Sequence, residues 1–314
     1  KTFPVDTTRY KCECENPLDL TQLKISFPLE EIARRDNNLW RYREALPIAS
    51  EASIVSFNEG MTPLVPTSSS VCDHRLKLDF VFPTGSYKDR GASILLSKAQ
   101  EVGIREIVED SSGNAGAAIA AYSARAGIDC TIYCPSSTST GKLTQISMYG
   151  AKLKLIEGSR TDTTQAVLQA TGTTFYASHN WNPFFLEGTK TIAFEIAEQL
   201  GWKAPDGVIC PVGFGSIYLG LYIGFNQLYD QGVITKIPRL LGVQSAACCP
   251  IYQAYHYNQP QIEKTTLGYD TLAEGIVSEL PIRSQMIMEA MNSTDGEFTI
   301  VSEEEIEDGI KILA

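Results

Sequence analysis

From residue 76 onward, apolar and polar positions follow a regular alternation. Short apolar runs lie at 76–82, 106–109, 130–134, 153–156, 174–177, 208–212 and 240–244, and the first six are each followed by a longer polar-apolar stretch. The stretches predict helices over about 86–102, 114–126, 138–149, 162–170, 183–200 and 216–230. Strand–helix alternation at this spacing predicts βαβ units, and hence an α/β fold of mostly parallel sheets flanked by helices. The start of the chain is different. Residues 1–55 are irregular and polar, with Leu39-Trp40-Arg41-Tyr42 as a packing anchor. The acids Glu303, Glu304 and Glu305 open one more helix, where the dipole favours them.

The pattern suggests two domains behind an N-terminal extension of residues 1–55. Residues 100–180 form a small α/β domain, and 56–99 with 181–314 form a larger, discontinuous one. A chain of 314 residues has room for both.

Composition narrows the function. The formal net charge of −11 argues against a nucleic-acid or anionic-membrane surface, so any anion must be bound locally. No apolar run reaches the roughly 18 residues of a membrane span. No signal-peptide pattern opens the chain, and the eight cysteines have no disulfide-framework spacing, so a reducing cytoplasm is expected. Cys130, Cys134 and Cys210 lie in apolar runs and read as buried thiols. Cys12-Glu13-Cys14 is a single short pair with no histidine near it, and no metal site is assigned to it.

Three strand-to-helix turns carry chemistry. The first is Phe82-Pro83-Thr84-Gly85-Ser86-Tyr87-Lys88-Asp89-Arg90-Gly91. With Ser86 as an N-cap, it sets the Lys88 amine in the first turn of a helix, where the positive helix end favours its neutral, nucleophilic form. Taken alone, Lys88 reads as a solvated surface lysine. The second turn is Asp110-Ser111-Ser112-Gly113-Asn114-Ala115-Gly116, ahead of a small-residue helix. Hydroxyls, an amide and free N–H groups at a helix N-terminus suit a carboxylate or phosphate; an ordinary capped turn is the alternative. The third is Pro211-Val212-Gly213-Phe214-Gly215-Ser216-Ile217, whose glycines let the backbone approach a phosphate. It is neither a P-loop nor a dinucleotide fingerprint, and alone it is weak. Together, the turns supply a Schiff-base lysine, an anion loop and a phosphate cup, which is what pyridoxal phosphate requires.

The same residues resemble the pyridoxal-phosphate enzymes of the tryptophan-synthase-β fold type (fold type II), and among them the threonine synthases. Residues 83–91 resemble that family's lysine motif, and Ser111-Ser112-Gly113-Asn114 with the helix behind it its substrate loop. Asn58-Glu59-Gly60-Met61-Thr62-Pro63-Leu64 and Leu186-Glu187-Gly188-Thr189-Lys190-Thr191 resemble two further family stretches. The resemblance implies that Lys88 carries the cofactor as a Schiff base and moves the α and β protons. It implies that Asn114 bonds the cofactor's phenolate oxygen, and that Gly213, Phe214, Gly215, Ser216 and Ile217 hold its phosphate. Ser111, Ser112, Gly113 and Ala115 would bind the substrate carboxylate. The implied reaction turns O-phosphohomoserine and water into threonine and phosphate. The implied partner is a small, phosphorylated amino acid, with a homodimer as the fold-level expectation.

Three departures bear on substrate. Phe82 stands where the family commonly has Asn. Phe185 stands where threonine synthases often carry an Arg that helps hold the substrate phosphate, leaving Arg160, Lys142 or Lys190 as substitutes. The family's Ser or Thr facing the pyridine nitrogen would fall beyond Ala314 and is not assigned. A serine/threonine dehydratase or a cysteate-synthase-like β-replacement enzyme is therefore the alternative, followed by a non-catalytic homologue on the same fold.

Overall fold

Little regular structure forms before residue 64, because few apolar positions there recur at a helix or strand period. The computed structural model describes residues 1–21, 23–67, 73–158, 160–172 and 174–313. The N-terminal segment holds one helical turn, α1 (Leu29–Ile32), and 3-10 turns at Leu39–Ala45 and Glu51–Ser53. Its anchor is real: Leu39, Trp40, Arg41 and Tyr42 are all buried. Two short antiparallel strands follow, β1 (Leu64–Pro66) and β2 (Arg75–Lys77).

The run 76–82 is thus a strand only at its start, and Asp79–Val81 forms a 3-10 turn. Arg90 grips both Asp79 oxygens, with Nε–Oδ2 and Nη2–Oδ1 each 2.9 Å. That tertiary grip overrides the alternating pattern. No parallel strand leads into the lysine helix, contrary to the expectation from the sequence.

Helix α2 (Lys88–Glu101) is followed by the units β3 (Glu106–Glu109), α3 (Asn114–Ala126), β4 (Asp129–Pro135), α4 (Thr140–Met148), β5 (Lys152–Ile156), α5 (Arg160–Ala170) and β6 (Phe175–Tyr176). The strands make one parallel sheet in the order β5-β4-β3-β6. Then come α6 (Pro183–Thr189), α7 (Thr191–Gln199), β7 (Gly207–Pro211), α8 (Ser216–Asp230), β8 (Arg239–Ser245), α9 (Pro250–His256), α10 (Ser284–Ser293), β9 (Glu297–Val301) and α11 (Glu303–Leu313). A second parallel sheet runs β7-β8-β9. The α/β expectation is borne out. None of the described helices is long and apolar enough to cross a membrane.

The chain divides into two compact units, residues 1–191 and 192–314. In the first, α2 buries Ile94, Leu95 and Leu96 completely, each worth about 1.5–3 kcal/mol of transfer free energy. Glycines let α2 and α6 touch. A Cβ on Gly188 would fall 2.0 Å from the Arg90 carbonyl oxygen, and one on Gly91 2.5 Å from the Phe185 ring. In the second unit, Leu240, Leu219, Phe225, Ile251 and Ile287 are fully buried around the three-stranded sheet.

Candidate active site

Lys88 is the first residue of α2. Gly85 (φ +83°) makes the turn before it, with its N–H on the Phe82 carbonyl at 2.8 Å. The N-cap is Tyr87, without a side-chain cap, and not the expected Ser86, whose Oγ accepts the Lys88 N–H at 3.3 Å. Asp89 then locks the turn from below. Its carboxylate accepts the Thr84 N–H at 2.9 Å and also the Thr84 hydroxyl. The carboxyl is fully buried, and burial pushes its pKa up to about 6, with the charge of Glu59 adding to the rise. Lys88 itself is half-buried, and its Nζ donates to Tyr87 Oη at 2.6 Å.

Arg90, 0% exposed, ties this helix to the 58–64 segment. Besides Asp79, it reaches Thr62 Oγ1 at 3.3 Å and Thr191 Oγ1 at 3.1 Å. Its guanidinium lies 4.8 Å above the Phe82 ring, which gives the first departing residue a packing role. Glu59 is buried, accepts the Phe57 N–H at 2.6 Å, and offers its own carbonyl to Leu39. The lysine turn is thus clamped on both sides by groups far away in sequence.

The second turn leaves the C-terminal end of β3. Helix α3 begins at Asn114 with Gly113 as N-cap and no side-chain cap. Its first-turn N–H groups therefore point outward beside the exposed Asn114, a donor set for an anion. The loop is tight, since a Cβ on Gly116 would sit 1.8 Å from the Ser111 carbonyl oxygen. Beneath it, Asp110 is buried and accepts from Tyr176 Oη at 2.7 Å and Thr164 Oγ1 at 2.8 Å. Burial holds the Tyr176 hydroxyl well above its ordinary pKa, so it stays a donor. Next to it, Glu109 and His179 form a buried pair, Oε1 to Nδ1 2.6 Å.

The third turn leaves the C-terminal end of β7 and enters α8, again with a glycine N-cap, Gly215 (φ +90°), and no side-chain cap. A Cβ on Gly213 would meet the Ile276 backbone at 2.8 Å. A side chain there would collide with that backbone, so the position calls for glycine. The first and second turns lie in the first unit, and the third in the second.

Phe185 is 0% exposed, against Gly91 and edge-on to His179 with centroids 6.0 Å apart. It occupies a core position. Lys190 is equally buried and ion-paired with Glu187. It is a structural cation and does not replace an exposed arginine. The side chains of Lys142 and Arg160 lie outside the described residues. Cys130, Cys134 and Cys210 are buried as expected, and burial pushes Cys130 and Cys210 up to about 12. The supporting residues Asp89, Asp110, Tyr176 and His179 were not singled out from the sequence. The acids at 89 and 110 directly flank the motifs and were the available signal.

A family profile described as pyridoxal-phosphate dependent enzyme matches residues 55–314. The threonine synthase of Methanocaldococcus jannaschii is 35% identical over 100% of this chain and 80% of its own length. That of Methanosarcina acetivorans is 32% identical over 98% of this chain and 78% of its own length. Among solved structures, maize serine racemase shares the fold with a TM-score of 0.71 at 21% identity, covering 88% of this chain and 80% of that one.

Proposed function

The chain belongs to the pyridoxal-phosphate-dependent enzyme family, and from that premise we propose that it is a threonine synthase, converting O-phosphohomoserine and water to threonine and phosphate. The observation that carries this reading is likeness to threonine synthases along the whole chain, motif turns included.

The residues present fit the cofactor. Lys88 offers a primary amine at a helix start, α3 and α8 offer N-termini without side-chain caps, and the third turn carries glycines at 213 and 215, where added Cβ atoms would collide with Ile276 and Ile287. When bound, pyridoxal phosphate supplies an electron sink for a carbanion at the substrate Cα. The N–H groups of Gly213, Phe214, Gly215, Ser216 and Ile217 would hold its phosphate. Asn114 would donate its side-chain amide to the phenolate oxygen. Ser111, Ser112, Gly113 and Ala115 bind the substrate carboxylate and so fix which Cα bond faces Lys88. Lys88 Nζ would anchor the cofactor; as a free amine it would take the Cα proton and one Cβ proton as the γ-phosphate departs, and return protons to Cγ and Cα. Water adds at Cβ. A small amino acid is the substrate class in any case, and the phosphate on it, the cytoplasm and a homodimer belong to this proposal.

The core position of Phe185 and the pairing of Lys190 with Glu187 favour a second reading on the same cofactor. Neither residue offers a charge-assisted donor to a substrate phosphate, and a serine/threonine dehydratase, or a β-replacement enzyme on an unphosphorylated amino acid, needs no dianion site. Purified protein incubated with O-phosphohomoserine, L-serine, L-threonine or O-phosphoserine separates the two. Threonine with equimolar phosphate supports the first reading. Keto acid alone from serine or threonine replaces it with the second.

A further inference from the structure

The family match begins at residue 55, and the chemistry proposed for the three turns uses none of the residues before it. They nevertheless reach the scaffold beneath one turn. Tyr10 sets its ring edge-on to Tyr176, with centroids 5.2 Å apart, and to Trp181 at 5.8 Å. Tyr176, buried at the end of β6, donates its hydroxyl to Asp110 Oδ1 at 2.7 Å. Thr164 of α5 donates to Oδ2 at 2.8 Å. Both oxygens of this buried carboxylate are thereby fixed. Asp110 is bonded to Ser111, whose carbonyl oxygen is pressed against Gly116 at the start of α3. A shift of Tyr176 therefore reaches the loop through two hydrogen-bonded oxygens and one peptide bond.

A second contact of the same segment reaches the lysine helix. Trp40 Nε1 donates to Ser93 Oγ at 3.1 Å, and that hydroxyl donates to the Val55 carbonyl at 2.8 Å. The segment is therefore packed against α2 as well, which holds it in place while Tyr10 bears on Tyr176.

We propose that residues 1–54 brace the 110–116 loop through Tyr10, which makes Tyr10 and Tyr176 positioning residues for substrate binding. The proposal rests on the reading that this loop holds the substrate carboxylate. Tyr176→Phe keeps the ring and its contact with Tyr10, but leaves Asp110 Oδ1 buried without its donor. Tyr10→Ala removes the ring that packs on Tyr176, and Tyr10→Phe restores it.

The test is amide hydrogen exchange on the holoenzyme, together with steady-state kinetics on whichever amino acid it turns over. In Tyr176→Phe the amides of 111–116 are expected to exchange about tenfold faster, the size set by losing a hydrogen bond to a charged group, and in Tyr10→Ala several-fold faster, the size of a lost aromatic pair. Amides of α8, in the other compact unit, are expected to stay unchanged, which separates a local effect from general destabilisation. KM is expected to rise about tenfold with kcat within about twofold, the pattern of lost ground-state binding. Tyr10→Phe is expected to behave as the wild type. Unchanged exchange of 111–116 in Tyr176→Phe overturns the brace, whatever happens to activity. Faster exchange with an unchanged KM overturns the role in substrate binding, and the carboxylate reading of the loop with it, while leaving the reading of Lys88 intact.

Discussion

Phe185 presses its ring onto Gly91, so closely that a Cβ on that glycine would fall 2.5–2.6 Å from three ring carbons. The contact joins α6 to the lysine helix three residues after Lys88. It also decides what position 185 can do. Phe185→Arg is expected to cost more than about 3 kcal/mol, because an unpaired guanidinium would be buried in the core. Gly91→Ala is expected to cost about 1–3 kcal/mol through overpacking. Urea unfolding of both variants checks this. An arginine variant that folds normally and turns over a phosphorylated substrate faster would show that the position faces the site.

Asp89 gives the fold a pH dependence of defined sign. Its carboxyl titrates near 3.8 ordinarily and near 6 when folded, because burial disfavours the charge. The folded state therefore holds the proton more tightly than the unfolded chain. The stabilisation is fully present below about 3.8 and is lost as pH rises through about 6. A difference of that size is worth roughly 3 kcal/mol. Asn at 89 can still accept the Thr84 N–H and can donate to its hydroxyl, without a charge. Asp89→Asn is expected to flatten the decline in stability between about pH 3.8 and 6, the window between the two pKa values. Unfolding free energies with the same slope in both proteins would contradict the argument.

Gly213 tests the phosphate turn. Its missing side chain is required by the Ile276 backbone 2.8 Å away. Gly213→Ala is expected to push the turn out of place and to raise the Kd for pyridoxal phosphate at least about tenfold, for a loss of roughly 1.4 kcal/mol. Gly232, at a turn where no atom lies within 4 Å of a Cβ, has φ +68° and provides the control for strain alone. Gly232→Ala is expected to lower stability slightly and leave the Kd unchanged. Fluorescence titration of the cofactor-free proteins measures both.

How much could be read from the sequence depended on where the deciding contacts lie. Helices 114–126 and 216–230 were predicted at their observed bounds, since each starts at a glycine turn and carries its own periodicity. Strand 106–109 was equally local. The run 76–82 was misread because Arg90 pulls Asp79 out of the pattern, a contact no window on the strand contains. The predicted helix 183–200 is two helices that meet at Lys190, whose amine is buried with Glu187. Strand β9 was missed, as Glu297-Phe298-Thr299-Ile300-Val301 has no strong flanking signal. The three motif turns were legible because glycines, hydroxyls and one lysine act through local backbone geometry. The groups beneath them were not. Asp110 meets Tyr176 across 66 residues, and only the fold brings them together.

The central claim is that Lys88 carries the cofactor, and covalent trapping tests it most directly. The protein is loaded with pyridoxal phosphate, reduced with borohydride, digested and mapped by mass spectrometry. The account expects one phosphopyridoxyl group, on the peptide containing Lys88, and loss of both the label and the visible absorbance in Lys88→Ala. A label on another lysine, or visible absorbance that survives Lys88→Ala, would contradict it.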